Sequence, residues 1–201
     1  MAHHRILVVD DEKSIRDTRS LLLRGAGFEV STAEDGFEAL MQLRSSVPDL
    51  IISDLNMPHM SGFEFLSVLR RRFPQILVIA SSGAYHSDDL VPGGIIADAF
   101  HVKGGSPSTL LKMIAELLAM STARAMERHT GPAPVWIPRN GKDSMGIPFV
   151  VVTCTNCLRS FPLSVSEENL QAVQETACLF CETKVNYIID FSGEVTSPQS
   201  P

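Results

Sequence analysis

Five short apolar runs alternate with helical patterns over the first 120 residues, and this alternation restricts the fold more than any other sequence feature. Most runs are continuously apolar and rich in β-branched residues, which is typical of parallel strands covered by helices on both faces. The pattern predicts an α/β fold with a doubly wound parallel sheet. The predicted strands are residues 6–9, 28–31, 50–53, 76–80 and 99–102, and the predicted helices are residues 14–24, 36–44, 62–72 and 107–120.

The crossover between the last two strands differs from the others. It contains Pro92, Gly93 and Gly94, and both residue types disfavour a helix interior. We expect a loop there with at most a short helical turn. In the helix that follows, Ser106 is placed to cap the start and Pro107 suits the first position. The predicted apolar face of this helix consists of Leu110, Leu111, Ile114, Leu117 and Leu118.

Polar side chains follow four of the predicted strands, at the edge where a doubly wound sheet binds its ligands. Asp10 and Asp11 follow the first strand, Asp54 the third, Ser82 the fourth and Lys103 the fifth. Clustered carboxylates repel one another, and Mg²⁺ offsets that repulsion because it prefers oxygen ligands. Each residue alone is also typical of a turn or a solvated surface. Their joint placement predicts a phosphoryl-transfer pocket with Asp54 as the nucleophile.

The segments that contain these residues resemble the receiver domain of two-component response regulators. The similar segments are residues 8–12, 53–62, 82–83 and 99–103, and the resemblance covers about residues 4–120. It implies a flavodoxin-like (βα)5 fold that is phosphorylated by a histidine kinase or a phosphotransfer protein. It also implies that catalysis is limited to self-phosphotransfer and autodephosphorylation, so the chain is not expected to be an enzyme.

The resemblance also implies which residues bind Mg²⁺. Asp54 matches the phosphoacceptor, which contacts the metal as well. Asp11 matches the main metal ligand, and Asp10 matches its helper, which usually acts through water. The backbone carbonyl of Asn56 matches the third protein ligand.

Three further matches concern the response to phosphorylation. Ser82 matches the switch hydroxyl that follows the phosphoryl group, and Lys103 matches the cation that binds it. Phe100 matches the aromatic residue that changes rotamer on activation, with a plain core phenylalanine as the alternative.

Two departures from the family pattern bear on function. The family usually has a proline with a cis peptide bond after the lysine, whereas Gly104 stands here. A cis bond without proline costs roughly 2.5–4 kcal/mol, so we expect a trans, more mobile loop and a less firmly placed Lys103. The broken fourth crossover helix belongs to the face that carries the family's output signal. Kinase recognition is therefore expected to persist while the output differs.

Four cysteines form two C-x-x-C pairs separated by 20 residues, at the upper edge of the spacing of structural zinc sites. The pairs are Cys154 with Cys157 and Cys178 with Cys181. Zinc favours four soft tetrahedral ligands, so a structural Zn²⁺ site is the leading interpretation. A rubredoxin-like iron site and redox-active or free thiols stay open as alternatives. The glycine that often follows such a turn is absent, because Leu158 and Glu182 stand there.

The cysteines mark a second, smaller domain. Predicted strands at residues 149–153 and 186–191 flank the pairs, and the segment 147–195 resembles a zinc ribbon. Residues 121–146 are rich in proline and glycine and are predicted to be a linker without its own core. Residues 196–201 are predicted to be a disordered tail.

Charge and hydropathy restrict the partners of the chain. The net charge is −6, which disfavours general nucleic-acid binding. No run approaches the roughly 20 apolar residues that cross a bilayer, so we expect a cytoplasmic protein without membrane contact. We expect the zinc ribbon to bind a protein partner, with homodimer formation left open.

The sequence also bears on two other function classes for the output. The first is a transcriptional regulator whose ribbon contacts DNA or RNA polymerase, with the linker arginines Arg124, Arg128 and Arg139 as its basic feature. A catalytic zinc is disfavoured, because four cysteine ligands leave no open coordination position.

Overall fold

The computed structural model describes residues 4–83, 97–119, 135–138, 141–142, 144–164 and 173–190. The chain divides into two compact units, Met1–Ala133 and Pro134–Pro201. Each unit has a buried apolar core of its own, as expected of separate domains. Among the described residues, no helix combines the length and the apolar character that are needed to cross a membrane.

The first unit is built on a parallel sheet. Its strands are β1 (Arg5–Val9), β2 (Glu29–Ala33), β3 (Leu50–Asp54), β4 (Leu77–Ser82) and β5 (Ala99–Val102). Its described helices are α1 (Lys13–Gly25), α2 (Gly36–Leu43), α3 (Gly62–Arg72) and α4 (Pro107–Leu118). The strand order is β2-β1-β3-β4-β5, with every neighbouring pair parallel. The predicted flavodoxin-like α/β sheet is confirmed, and β5 and α3 have the predicted bounds.

The core of the first unit lies between the sheet and the inner faces of its helices. Leu110, Ile114 and Leu117 of α4 are buried against β1, β3 and β4, while Leu111 and Leu118 are partly buried at the margin. The apolar face predicted for α4 is therefore confirmed. Strands β1, β3 and β4 are buried along almost their whole length, which explains why their sequences are apolar without alternation.

Polar side chains fix where the helices start. At α3, Ser61 and Glu64 form a capping box: the Glu64 N–H donates to Ser61 Oγ (3.3 Å), and the Ser61 N–H donates to Glu64 Oε2 (3.1 Å). At α2, the Glu38 N–H donates to the Asp35 carboxylate (2.8 Å). Ser106 occupies the capping position of α4 as predicted, but its hydroxyl makes no capping hydrogen bond.

The second unit is β-rich throughout its described part. Its strands are β6 (Val135–Pro138), β7 (Gly141–Lys142), β8 (Pro148–Thr153), β9 (Ser160–Ser164), β10 (Gln174–Ala177) and β11 (Lys184–Asp190). They form two three-stranded sheets, ordered β10-β11-β6 and β7-β8-β9. Strand β6 pairs parallel with β11, and the other pairings are antiparallel. The core of this unit consists of Val135, Ile137, Val150, Val152, Cys154, Phe161, Cys178, Val185, Tyr187 and Ile189.

The predicted linker over residues 121–146 is wrong for its second half. Strands β6 and β7 lie inside that range, and both belong to the second unit. Val135 and Ile137 of β6 are buried in the core of this unit, so the segment has a packing role that its proline and glycine content conceals. The first part of the linker, the crossover with Pro92, Gly93 and Gly94, and the tail at 196–201 lie outside the described residues.

Candidate functional site

The predicted acidic residues meet at the carboxyl ends of β1 and β3. Asp10 directly follows β1 and Asp54 is the last residue of β3. Carboxylate oxygens of Asp10, Asp11 and Asp54 all lie within 4.8 Å of one another. Asp10 and Asp54 are buried, whereas Asp11 is exposed. Three converging carboxylates, one of them open to solvent, fit a hard divalent cation such as Mg²⁺.

Lys103 provides the positive charge of the pocket from the residue after β5. Its Nζ donates to Asp54 Oδ2 (2.8 Å) and to Asp10 Oδ1 (3.2 Å), and lies 3.0 Å from Asp10 Oδ2. The lysine therefore bridges the two buried carboxylates. Gly83, after β4, lies under the Lys103 side chain: a Cβ built there would be 3.7 Å from Lys103 Cβ.

Burial and charge act in opposite directions on these groups. Burial raises the pKa of Asp54; the hydrogen bond and charge of Lys103 oppose that rise, and the net pKa lies above its ordinary value. Burial alone lowers the pKa of Lys103, but its hydrogen bonds to Asp54 and Asp10 and their charges leave its pKa above the ordinary value. Lys103 therefore stays charged at neutral pH.

The other predicted pocket residues occupy the same edge of the sheet. The backbone of Asn56 hydrogen-bonds the Asp54 carboxylate and lowers its pKa slightly against the effect of burial. Ser82 is fully buried at the end of β4, and its carbonyl accepts the Lys103 N–H (2.8 Å). Phe100 is partly buried in β5, in register with Ala80. The roles of Ser82 and Phe100 as switch residues stay predictions.

The expected trans peptide bond after Lys103 is confirmed, while the expected mobility of this loop stays a prediction. No cis peptide bond occurs among the described residues, and Gly104 has φ +82°. This left-handed conformation favours glycine and lets the loop turn directly after Lys103, where the Gly105 N–H donates to the Val102 carbonyl (3.0 Å). The glycine replaces the family's proline with a different turn that also brings Lys103 to the carboxylates.

Gly62 is a pocket residue that sequence reasoning missed. It is the first residue of α3, and its N–H donates to the Leu55 carbonyl (2.9 Å). A Cβ built on Gly62 would lie 1.9 Å from the backbone oxygen of Asp54, so only glycine fits. The sequence signal was present: Ser61 and Glu64 place the start of a helix beside the strand that carries Asp54.

Sequence reasoning also missed a polar cluster beneath the pocket. Arg19 of α1 is buried, its Nη2 donates to Ser81 Oγ (2.6 Å), and its Nη1 lies 3.5 Å from Asp10 Oδ2. His101 of β5 is buried nearby, and its pKa is lowered by burial and by the charge of Arg19. The signal was an arginine on the helix face that Leu23 also occupies.

The four cysteines converge in the second unit. All four Sγ atoms lie within 4.8 Å of one another, with Cys154 Sγ 3.7 Å from Cys181 Sγ and Cys157 Sγ 3.6 Å from Cys178 Sγ. A disulfide requires an S–S distance of about 2.05 Å, so these thiols are free. A tetrahedral Zn²⁺ with Zn–S bonds of about 2.3 Å places its ligands about 3.8 Å apart, close to the observed separations.

The two C-x-x-C turns have the same backbone conformation. In the first, the Asn156 N–H points at Cys154 Sγ (3.4 Å) and the Leu158 N–H donates to the Cys154 carbonyl (2.9 Å). In the second, the Phe180 N–H points at Cys178 Sγ (3.4 Å) and the Glu182 N–H donates to the Cys178 carbonyl (3.0 Å). The missing glycines therefore do not prevent the turn.

Leu158 and Glu182 instead adopt the left-handed conformation themselves, with φ 61° and 59°. Non-glycine residues rarely do so, and such strain persists only where the surroundings determine the turn. Burial raises the pKa of Cys154 to about 11, while hydrogen bonds from Thr183 lower that of Cys181 to about 6. One partner of the close Cys154–Cys181 pair is thus readily available as a thiolate.

Comparison with known proteins agrees with the geometry of the first unit. The family described as response regulator receiver domain matches residues 6–115. The chain belongs to this family. Its receiver domain thus coincides with the parallel sheet and the carboxylate pocket of the first unit.

Relatives and solved structures extend the comparison. Transcriptional regulatory protein PrrA of Mycobacterium tuberculosis is 36% identical over 142 residues, which are 67% of this chain and 60% of PrrA. Chemotaxis response regulator CheY4 of Vibrio cholerae shares 37% identity over 58% of this chain and 99% of CheY4, with a TM-score of 0.54. TrrA of Thermotoga maritima, solved in complex with Mg²⁺-BeF, shares 34% identity over 57% of this chain and 98% of TrrA, with a TM-score of 0.52.

Proposed function

We propose that this response regulator is switched by phosphorylation of Asp54 from a histidine kinase or phosphotransfer protein. The observation that carries the proposal is the contact of Lys103 Nζ with both Asp54 and Asp10, beside the exposed Asp11. This arrangement supplies a nucleophile, a fixed cation and oxygen ligands at one edge of the sheet. The relative TrrA supports it, since it has been solved with Mg²⁺-BeF and in complex with the histidine kinase ThkA.

Each pocket residue has its own role in the proposed transfer. A carboxylate oxygen of Asp54 attacks phosphorus, and the bond between phosphorus and the donor imidazole nitrogen breaks with its electron pair leaving on the imidazole. Lys103 neutralises a phosphoryl oxygen, and the Ser82 hydroxyl hydrogen-bonds the transferred group. Asp10, Asp11, Asp54 and the Asn56 carbonyl would hold Mg²⁺, which supplies further charge neutralisation. Beyond this self-phosphotransfer and its hydrolysis, we assign the chain no enzymatic activity.

Labelling with acetyl phosphate followed by intact-mass measurement tests this proposal. One phosphoryl group is expected on the wild-type chain in Mg²⁺ and none in EDTA. Asp54→Asn should abolish labelling. Asp49→Asn is the matched control, since Asp49 immediately precedes β3 at the opposite edge of the sheet, where it accepts the Arg5 N–H (2.8 Å). Labelling that survives in Asp54→Asn, or that is equal in EDTA, would contradict the assignment.

For the second unit we propose one structural Zn²⁺ bound by Cys154, Cys157, Cys178 and Cys181 in a zinc-ribbon-like module. Sulfur separations near those of a tetrahedral zinc site and two matching C-x-x-C turns support it. Elemental analysis of protein purified under reducing conditions should give one zinc per chain. Iron would instead colour the protein, and a stoichiometric disulfide without metal would overturn the proposal.

The output of the second unit is proposed to be protein binding. Leu179 and Phe180, the two residues between the second pair of cysteines, are 71% and 50% exposed. Arg159, just after the first cysteine pair, lies over the Phe180 ring, 5.2 Å from its centroid, in a cation–π contact. Exposed apolar residues on a fixed turn suit contact with another protein surface.

Transcriptional regulation is the second candidate, because the relatives PrrA and NtrC are named as transcriptional regulators. The two candidates differ in salt dependence. A DNA shift that weakens steeply with salt and is lost when Arg124, Arg128 and Arg139 are changed to alanine would favour direct DNA contact. Binding to a protein partner that is insensitive to salt and lost in Phe180→Ala would favour the protein-binding module.

A further inference from the structure

Arg19 is a buried cation that the proposed transfer reaction does not use. It is only 7% exposed and shares the inner face of α1 with Ser20 and Leu23. A guanidinium stays charged in proteins, and burying a charge is costly unless opposite charges compensate it. The contacts of Arg19 should therefore identify the negative charge that it compensates.

The contacts of Arg19 point to the carboxylate pocket. Its Nη2 is held by Ser81 Oγ on β4 (2.6 Å), and its Nη1 is 3.5 Å from Asp10 Oδ2. Burial lowers the pKa of Arg19, while the charges of Asp10 and Asp54 raise it, so both carboxylates act on this guanidinium. Within the described part of the chain, neither Arg19 Nη1 nor Asp10 Oδ2 has a hydrogen-bond partner, so the interaction between them is one of charge.

Two cations therefore face Asp10, and they differ in freedom to move. The Lys103 side chain is 18% exposed and lies at the start of a glycine-containing turn, so it can follow a phosphoryl group. The Arg19 side chain is 9% exposed and donates to Ser81 Oγ, and burial and the charge of Arg19 lower the pKa of the buried His101. Arg19 is therefore held beside Asp10 more firmly than Lys103 is.

We propose that Arg19 is a fixed internal counter-ion of the carboxylate pocket that lowers its affinity for Mg²⁺. The inference rests on the Mg²⁺ site proposed above. A metal cation in the pocket shares Asp10 with Arg19, whose Nη1 lies 3.5 Å from Asp10 Oδ2, and like charges at such distances oppose binding. Arg19 also compensates buried Asp10 when Lys103 turns to a phosphoryl group, so it acts as a positioning residue rather than a catalytic one.

Mg²⁺ titration of the full chain by isothermal calorimetry tests this inference. Arg19→Met and Arg19→Gln both remove the charge, and the glutamine keeps a donor for Ser81. Both should bind Mg²⁺ at least about fivefold more tightly than wild type, because removing a nearby cation favours a dication. Arg19→Lys keeps the charge and should stay within about twofold of wild type.

Arg70→Met is the matched control for loss of a buried arginine. Arg70 is equally buried, but its Nη2 pairs with Asp98 (2.7 Å), beside the start of β5 and away from the pocket. Arg70→Met should lower the unfolding midpoint without tightening Mg²⁺ binding. If Arg70→Met tightens Mg²⁺ binding as much as Arg19→Met does, the gain does not come from the charge of Arg19 beside the pocket.

The outcomes separate this inference from the proposed function. If the wild-type protein binds no Mg²⁺, the proposed metal site itself is wrong. Wild-type binding with unchanged or weaker binding in the neutral Arg19 variants would leave the site and overturn the role of Arg19. If neither neutral variant folds by circular dichroism while Arg19→Lys does, Arg19 serves folding alone and the inference also fails.

Discussion

Asp54 is almost excluded from solvent and lies beside Asp10, which is fully buried, so the pocket holds two adjacent buried carboxylates. Lys103 compensates both of them only in part, because burial still leaves the pKa of Asp54 above its ordinary value. A raised pKa in the folded state means that folding favours the protonated form. The proposed phosphoacceptor, Asp54, is thus destabilising to the fold at neutral pH when it is ionised.

Asp54→Asn is expected to raise the Mg²⁺-free unfolding midpoint at pH 7. The stability that Asp54 contributes is fully present below its unfolded pKa, about 3.9, and is lost as pH rises through the higher folded pKa. Asparagine undergoes no such loss, so its advantage should appear near neutral pH and vanish towards pH 4. Each 1 kcal/mol corresponds to about 2–4 °C in a chain of this size.

Thermal unfolding in EDTA at pH 4, 5.5 and 7 measures the effect. Asp49→Asn, which removes an exposed carboxylate that pairs with His4 (3.5 Å), should not raise the midpoint. An equal gain for Asp54→Asn at all three pH values would mean that burial of the charge is not the cause.

Among the elements, the junction of β3 and α3 sets the position of Asp54. The capping box of Ser61 and Glu64 fixes the first turn of α3, and Gly62 in that turn lies against the Asp54 backbone. The first turn of α3 and the backbone of Asp54 are therefore packed directly against each other. A side chain between them must displace one or the other.

Gly62→Ala is expected to destabilise the receiver by roughly 2–4 kcal/mol, the range of severe core strain, and to reduce labelling of Asp54. The physical cause is the 1.9 Å approach of an added Cβ to the Asp54 carbonyl oxygen. Gly25→Ala is the control: nothing lies within 4 Å of its Cβ position at the end of α1, so alanine should be neutral or slightly stabilising. Urea unfolding of both variants checks the difference, and similar losses in both would refute the role of the close approach.

Elements with a strong local pattern were predictable, and elements defined by distant partners were not. The continuous apolar strands and the periodic face of α4 are properties of short windows, so the sheet and its edge of aspartates followed from sequence. Strand β6 pairs with β11, which lies far along the chain, and the prolines at its end and just before it, Pro138 and Pro134, resemble those of a linker. The turn at Gly104 depends on a backbone angle, and Arg19 of α1 pairs with Ser81 on β4, far along the chain; neither is visible in a local window.

The chain divides into two units, and the described residues of each form a buried cluster of their own. The buried cluster of the first unit comes from β1–β4 and the helices, and that of the second includes Cys154 and Cys178 among its valines. Loss of a cysteine should therefore disturb the second unit through both metal binding and packing. The receiver should be unaffected, because separate domains fold on their own cores.

Cys178→Ser is expected to lose zinc and to become protease-sensitive within residues 135–190, while Asp54 still accepts phosphate. Elemental analysis, limited proteolysis and acetyl phosphate labelling measure the three effects. Ser164→Ala, an exposed position on β9, should leave all three unchanged. If the variant keeps its zinc, Cys178 is not a zinc ligand. If it loses phosphorylation together with zinc, the two units do not fold and act independently.

The strand order of the second unit also determines when it can form during synthesis. Strand β11 lies between β10 and β6 in its sheet, yet it is the last of the three to be translated. The receiver, made first, can fold as it leaves the ribosome. Strand β6 emerges next and must wait without its sheet neighbour until β11 is outside the exit tunnel. The nascent chain can therefore carry a finished receiver and an open second unit at the same time, and the first cysteine pair leaves the exit tunnel before the second.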